Sequence, residues 1–242
     1  MSSNKYLSEQ EAKELIKEIG RRMFAKGFVA ANDGNISCKI DDNIILTTCT
    51  GVSKGYLTDE MIVKMDLDGN ILEGVRKPSS EVKMHIRVYK ENPEALAVTH
   101  AHPPVSTAFA VAGIALDTPI LPEGVVQLGA VPVAKYATPG TQQVPDSIAP
   151  FCKDYNAVLL ANHGALTWGK NLIEAYYRME SVEYYATLLM ITGKFLGKQN
   201  VLSNDQIKDL VDIRTSLGTK NGGIPVGVDV PTNDKDVLPN VK

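Results

Sequence analysis

Two apolar runs that each end in histidine constrain this chain more than any other feature. Ala95–His100 leads into His100-Ala101-His102, and Val158–Ala161 leads into Asn162-His163-Gly164. Short apolar runs of this kind are buried strands, and strand ends are where α/β proteins collect their sites. The chain has 4 histidines, and three of them stand in these two segments. Residues i and i+2 of a strand share a face, so His100 and His102 can grip one ion together. Neutral imidazole is the commonest protein ligand for zinc, and three protein nitrogens leave a fourth position open, as catalytic zinc sites do. Such an ion polarises a substrate oxygen, and a nearby carboxylate moves protons. Glu81, nineteen residues before His100, is the candidate acid/base.

Composition removes several classes of partner. The net charge is −3 and no basic run exceeds a pair such as Arg21-Arg22, so a nucleic-acid partner is not expected. The 3 cysteines, Cys38, Cys49 and Cys152, form no CxxC pair. That argues for a reducing compartment and against both a disulfide framework and a thiolate zinc site. The N-terminus carries no apolar signal core. The longest apolar stretch, Ala108–Leu116, contains a glycine and is too short to span a bilayer. With 44% hydrophobic residues over 242 positions, the chain can bury one large core. The expectation is a cytoplasmic protein with one domain over 1–220 and a Pro-, Val- and Asp-rich tail over 221–242.

Local signals order the elements between these motifs. Ser8 and Glu11 form a capping box for a helix whose Ala12, Leu15, Ile16, Ile19 and Met23 recur at helical spacing, with Gly27 as its stop. Ile36–Ile40 and Ile44–Thr47 read as strands, and Ile62–Asp66 and Asn70–Leu72 flank the hairpin signal Asp68-Gly69. Ser80 is placed to cap a helix that carries Glu81 in its first turn and runs on through Val82, His85, Ile86 and Tyr89. Pro103-Pro104 starts another helix, through Val111. Ala130–Ala134 reads as a further strand, and Asn171–Ile191 and Ser203–Leu217 as late helices. Strands and helices interleave, which is the pattern of a layered α/β domain.

Each candidate has a plain alternative. His-x-His without an ion is a pair of surface or core histidines, and a helix N-terminal glutamate can simply answer the dipole. The pairs Gly34-Asn35, Thr50-Gly51 and Ser79-Ser80 are each ordinary turns taken singly. Together they are small hydroxyls and backbone N–H groups beside a helix N-terminus, which suggests a phosphomonoester pocket. Neither a Walker A loop nor a G-x-G-x-x-G fingerprint is present, so nucleotide binding is unsupported. His85, four residues after Glu81 on the same helix face, reads as a packing residue or a support behind the site. Trp168 and Tyr176, Tyr177, Tyr184 and Tyr185 read as core or interface, and Lys64, Lys83 and Lys135 are not distinguished as Schiff-base lysines.

Gly34-Asn35-Ile36-Ser37, Thr50-Gly51, Pro78-Ser79-Ser80-Glu81, His100-Ala101-His102-Pro103 and Asn162-His163-Gly164 together resemble the class II aldolase/adducin family, over roughly residues 8 to 195. In order and spacing they most resemble its bacterial L-fuculose-1-phosphate aldolases. The resemblance implies a three-layer α/β/α domain around a mixed, mostly antiparallel sheet, and a C4 homotetramer with sites at subunit interfaces. It implies one Zn2+ per subunit on His100, His102 and His163, and Glu81 as the acid/base. It assigns the substrate phosphate to Gly34, Asn35, Thr50, Gly51, Ser79 and Ser80. The implied reaction cleaves a ketose 1-phosphate, with L-fuculose 1-phosphate the leading substrate, to dihydroxyacetone phosphate and an aldehyde, with L-lactaldehyde the leading product.

The resemblance thins at the aldehyde end. Two aromatic positions near the substrate in fuculose-phosphate aldolases fall here on Leu121 and Pro139, with Tyr136 close to the second, and no tyrosine follows Tyr185. Glu123 is a hypothetical substitute facing the aldehyde. Competing activities on the same scaffold are ribulose-5-phosphate 4-epimerase, methylthioribulose-1-phosphate dehydratase, 5-deoxypentulose-1-phosphate aldolase and decarboxylation of phosphorylated sugar acids. The epimerases usually carry Asp where this chain has Glu81. The non-enzyme alternative is an adducin-like assembly domain, whose heads lack the histidines kept here.

Overall fold

The computed structural model of the chain describes residues 5–219 and 221–224; the 221–242 tail therefore lies mostly outside the described residues. The strands are β1 (Asn35–Lys39), β2 (Ile44–Thr48), β3 (Ile62–Asp66), β4 (Ile71–Glu73), β5 (Ala97–Ala101), β6 (Val133–Ala134), β7 (Ala157–Leu160) and β8 (Gly164–Gly169). The helices are α1 (Glu9–Ala25), α2 (Val82–Glu91), α3 (Pro104–Ala112), α4 (Gln143–Cys152), α5 (Leu172–Met190) and α6 (Asn204–Ser216).

Local chemistry explains most of these bounds. Ser8 and Glu11 cap α1 reciprocally, and Asn171 accepts the Glu174 N–H at the head of α5. Ser203 and Gln206 make a second capping box on α6. The β3–β4 turn is carried by Gly69 at φ 96°. Helix α4 has no counterpart among the elements read from the sequence. It contains Pro145, tolerated in the first turn where the missing N–H has no partner to lose, and Pro150 near its end. The strand expected at Ala130–Ala134 shrinks to Val133–Ala134, because Val131 instead bridges Leu116.

All eight strands form one sheet in the order β4-β3-β2-β1-β5-β8-β7-β6. Every neighbouring pair is antiparallel except β6 and β7. One face carries a core of Ile16, Ile19, Ile36, Ala97, Ala165, Met179 and Val182, so α1, α3 and α5 lie there. The other carries Val82, Val88, Val98, Ile148, Val158, Leu166 and Trp168 beneath α2 and α4. The result is the expected three-layer α/β/α domain on a mixed, mostly antiparallel sheet. Strands β5, β7 and β8 are covered on both faces and so read as continuous apolar runs rather than alternating ones. Among the described residues no helix is long and apolar enough to cross a membrane.

Candidate active site

The sheet register sets up the site. Asn35 of β1 stands directly opposite His100 of β5, so the two side chains share the face covered by α2. The β7–β8 turn then delivers His163 beside the end of β5. Asn162 holds that turn at φ 58°, a left-handed conformation that asparagine tolerates. Gly164 follows it, and a Cβ there would come 2.5 Å from both the Ala101 carbonyl oxygen and His102 Cδ2. Only glycine lets the two chains approach this closely. Gly34 makes the matching approach on the other side: at φ +75°, a Cβ would lie 2.8 Å from the His100 carbonyl oxygen.

The three imidazoles converge. Ring centroids are 4.9 Å apart for His100 and His102, 4.7 Å for His100 and His163, and 5.0 Å for His102 and His163. One nitrogen from each lies within 4.8 Å of the others. His102 falls one residue beyond β5, yet its ring still meets that of His100. Their Nε2 atoms are 3.1 Å apart. His100 Nδ1 donates to the Ala165 carbonyl at 2.9 Å, and His102 Nδ1 faces the Asp33 carboxylate at 3.3 Å. Both outer nitrogens therefore carry the proton, and both Nε2 atoms present bare lone pairs to each other. Two acceptors at this distance repel unless a cation lies between them. Bonds of about 2.0–2.1 Å to a tetrahedral ion would place ligand nitrogens roughly 3.4 Å apart. The donor set fits a divalent metal. Burial pushes the His100 imidazole down to about 3 and lowers His102 as well, which keeps both neutral as ligands must be.

Glu81 reaches the same point from the head of α2. Its Oε1 is 3.1 Å from His163 Nε2 and its Oε2 is 3.5 Å from His100 Nε2. The Asn35 side-chain amide donates to Glu81 Oε2 at 2.8 Å and to Ser79 Oγ at 3.2 Å. Burial alone would raise the carboxyl, but the neighbouring His100 and His163 imidazoles and the Asn35 amide outweigh this and hold it well below the usual carboxylate range. Glu81 Oε1 takes no bond from Asn35 and faces His163 Nε2, so it is the oxygen of the pair turned toward the imidazoles.

The six residues read as phosphate-binding gather beside this cluster. Ser79 N–H donates to the Thr48 carbonyl and Thr50 N–H to the Lys77 carbonyl, which bolts the 77–80 segment to the end of β2. Thr50, Gly51 and Ser80 are exposed, and Ser79 is buried. One local expectation is corrected. Glu81, not Ser80, occupies the N-cap of α2, and Ser79 Oγ accepts the Glu81 N–H at 3.3 Å. Proline at 78 and the bridge between Cys49 and Pro78 fix where the extended segment ends, and the helix starts one residue later than spacing suggested.

Three supports were not singled out for the site from sequence. Asp33 orients His102, Lys54 lies buried beneath the Gly34 loop, and Ser37 joins His85 to Tyr89. His85 is fully buried. Its Nδ1 lies 2.7 Å from Ser37 Oγ, which is in turn 2.7 Å from the Tyr89 hydroxyl. At the far end, Glu123 and Tyr136 are exposed, and Glu123 precedes the short π turn Gly124–Leu128. The loop after β6 comes close to the phosphate segment: a Cβ on Gly140 would lie 3.8 Å from Ser80 Cβ.

With this geometry the chain's relatives can be compared. Residues 14–190 match the class II aldolase and adducin N-terminal domain, and the chain belongs to that family. It is 36% identical over 208 residues to 3-oxo-tetronate 4-phosphate decarboxylase of Pectobacterium atrosepticum, covering 84% of this chain and 94% of that protein. It is 33% identical over 181 residues to L-fuculose phosphate aldolase of Methanocaldococcus jannaschii, covering 75% and 96%. The crystal structure of l-fuculose-1-phosphate aldolase from Thermus thermophilus superposes with a TM-score of 0.71 at 31% identity, covering 80% of this chain and all 100% of that one. The chain is an enzyme of this metal-dependent lyase superfamily.

Proposed function

We propose that this enzyme breaks a carbon–carbon bond next to a carbonyl in a phosphorylated sugar-type substrate, with decarboxylation of a 3-oxo sugar-acid phosphate as the leading reaction. The observation that carries the reading is the convergence of three imidazoles and one ionised carboxylate, with Asn35 and Ser79 hydrogen-bonded beside them. His100, His102 and His163 would hold the ion, and an all-imidazole set favours zinc. When bound, that ion supplies an electron sink for negative charge developing on the substrate oxygens. Gly34, Asn35, Thr50, Gly51, Ser79 and Ser80 hold the phosphate in this reading. Asn35 also fixes one oxygen of Glu81 and leaves the other to move a proton.

Two reactions meet on this machinery. Loss of carbon dioxide from a 3-oxo-tetronate 4-phosphate moves the bond's electron pair into the adjacent carbonyl and gives an enediolate. A proton taken from solvent and relayed through the Glu81 carboxylate to the carbon gives dihydroxyacetone phosphate. Aldol cleavage of L-fuculose 1-phosphate passes through the same enediolate to the same product, with L-lactaldehyde departing. The difference lies in one proton. An aldol cleavage needs a base for the hydroxyl of the departing fragment, whereas a decarboxylation does not. Leu121 and Pro139 stand at the aromatic positions that resemblance to the aldolases singles out, and Glu81 is the acid/base assigned here. The greater identity to the decarboxylase, over more of this chain, supports the same preference.

Because both routes yield dihydroxyacetone phosphate, product detection alone does not separate them. The test offers the purified, metal-replete enzyme both substrates and measures carbon dioxide and aldehyde separately. Carbon dioxide from the 3-oxo acid at a kcat/KM well above that of fuculose 1-phosphate cleavage is expected. Faster aldehyde release would install the aldolase instead. Turnover of ribulose 5-phosphate without cleavage would sink both. A homotetramer with interfacial sites and a cytoplasmic setting belong to the same reading; exposed Phe195, Leu196 and Leu217 and three buried free thiols are in keeping with it.

A further inference from the structure

Lys54 is only 1% exposed, on the short turn Lys54–Tyr56 packed under α1. Its ammonium donates to the Asn32 carbonyl at 2.7 Å and to the Val52 carbonyl at 2.6 Å. Among the described residues, its hydrogen bonds go to backbone oxygen and none goes to a carboxylate. Burying a charge in this way is costly, and a methionine would fill the same space without the cost. Asp33 and Glu81 of the site are among the groups it faces. Burial draws its pKa down to about 8, while Cys49, Asp33 and Glu81 pull the other way. At neutral pH it remains a cation.

The two carbonyls it holds are informative. Asn32 precedes Gly34-Asn35 by two residues, and Val52 directly follows Thr50-Gly51. Lys54 therefore staples together the two loops that wall the phosphate pocket. The six side chains and glycines assigned to that pocket carry no charge. Apart from the ion that the three histidines would hold, a phosphate dianion entering it would meet the ionised Glu81 with only neutral donors in the pocket wall to offset the repulsion. We propose that Lys54 is the positioning residue of this pocket, a buried cation that braces both loops and sets the positive potential that admits a phosphate dianion beside Glu81. The proposal rests on the phosphate pocket described above.

The experiment uses the full chain with its metal, and the variants K54M, K54Q, K54R and S79A. Inorganic phosphate binding is measured by calorimetry, and KM and kcat are measured on the phosphorylated substrate. Metal content and far-UV circular dichroism serve as controls. K54M and K54Q should weaken phosphate binding by about tenfold or more and raise KM in parallel, with kcat much less affected. K54R should recover most of the loss. Wild-type phosphate affinity in K54Q, which keeps a donor without the charge, would overturn the proposal. Should K54M fail to fold, K54Q and K54R decide alone. If the native protein binds no phosphate, or S79A binds it as well as the native protein does, the pocket assignment itself falls, and the Lys54 proposal falls with it.

Discussion

At the scale of single residues, the site is a set of proton positions imposed by neighbours. His100 is made a ligand by a backbone carbonyl and His102 by a carboxylate, each of which takes the outer N–H and leaves Nε2 bare. Such supports orient metal ligands and commonly matter ten- to a hundredfold in affinity. Asp33→Asn should therefore weaken metal binding by about one order of magnitude, read by competition with a chromophoric chelator, while His102→Ala should abolish it with little change in circular dichroism. Metal retention in the His102 variant would refute the ligand set. Spacing displayed the histidines and Glu81, because each closes or opens an element of its own. It could not display Asp33, which meets His102 from sixty-nine positions away along the chain.

At the scale of elements, the site depends on close crossings of backbone. The loop before β1 touches the end of β5 at Gly34, and the β7–β8 turn touches it at Gly164. Gly34→Ala adds a methyl group at φ +75° against Val29 Cγ1 and a backbone oxygen that cannot move cheaply. The expected loss is about 1–3 kcal/mol, seen as a Tm drop of several degrees in the metal-free protein. An unchanged Tm would mean the loop has slack that these distances deny. The caps of α1, α5 and α6 follow from the sequence because a cap is a contact within four residues. The head of α2 does not: its N-cap moved from Ser80 to Glu81 because the preceding segment is tied to β2. Helix α4 was hidden for a related reason, since Pro145 and Pro150 look like breakers until their places in the helix are known.

At the scale of the molecule, burial links stability to pH. His85 is enclosed between α2 and β1, and burial pushes its imidazole down to about 3. Its unfolded value is near 6.5, so between these two limits the unfolded chain binds a proton that the folded one cannot. Stability is then highest above about pH 6.5 and falls as pH drops, by about 1.4 kcal/mol per unit for this one group. Urea midpoints of the native protein and of His85→Gln, compared from pH 7.5 to 5, should converge as the pH falls. Parallel lines would show that His85 takes up a proton in the folded state. The metal should add stability of its own, because an ion that binds only the folded chain shifts the equilibrium toward it.

What the amino-acid order determined alone is everything that needs only neighbours along the chain: apolar runs, caps, turns, and histidines placed where strands stop. Tertiary structure decided the rest. It set β1 beside β5 and β5 beside β8, and so brought Asn35, His100 and the turn bearing His163 to one end of the sheet. It chose which nitrogen of each ring stays bare, and it enclosed Lys54 beneath two loops. Those outcomes depend on which distant surfaces exclude water together, and that is a property of the packed chain rather than of any segment of it.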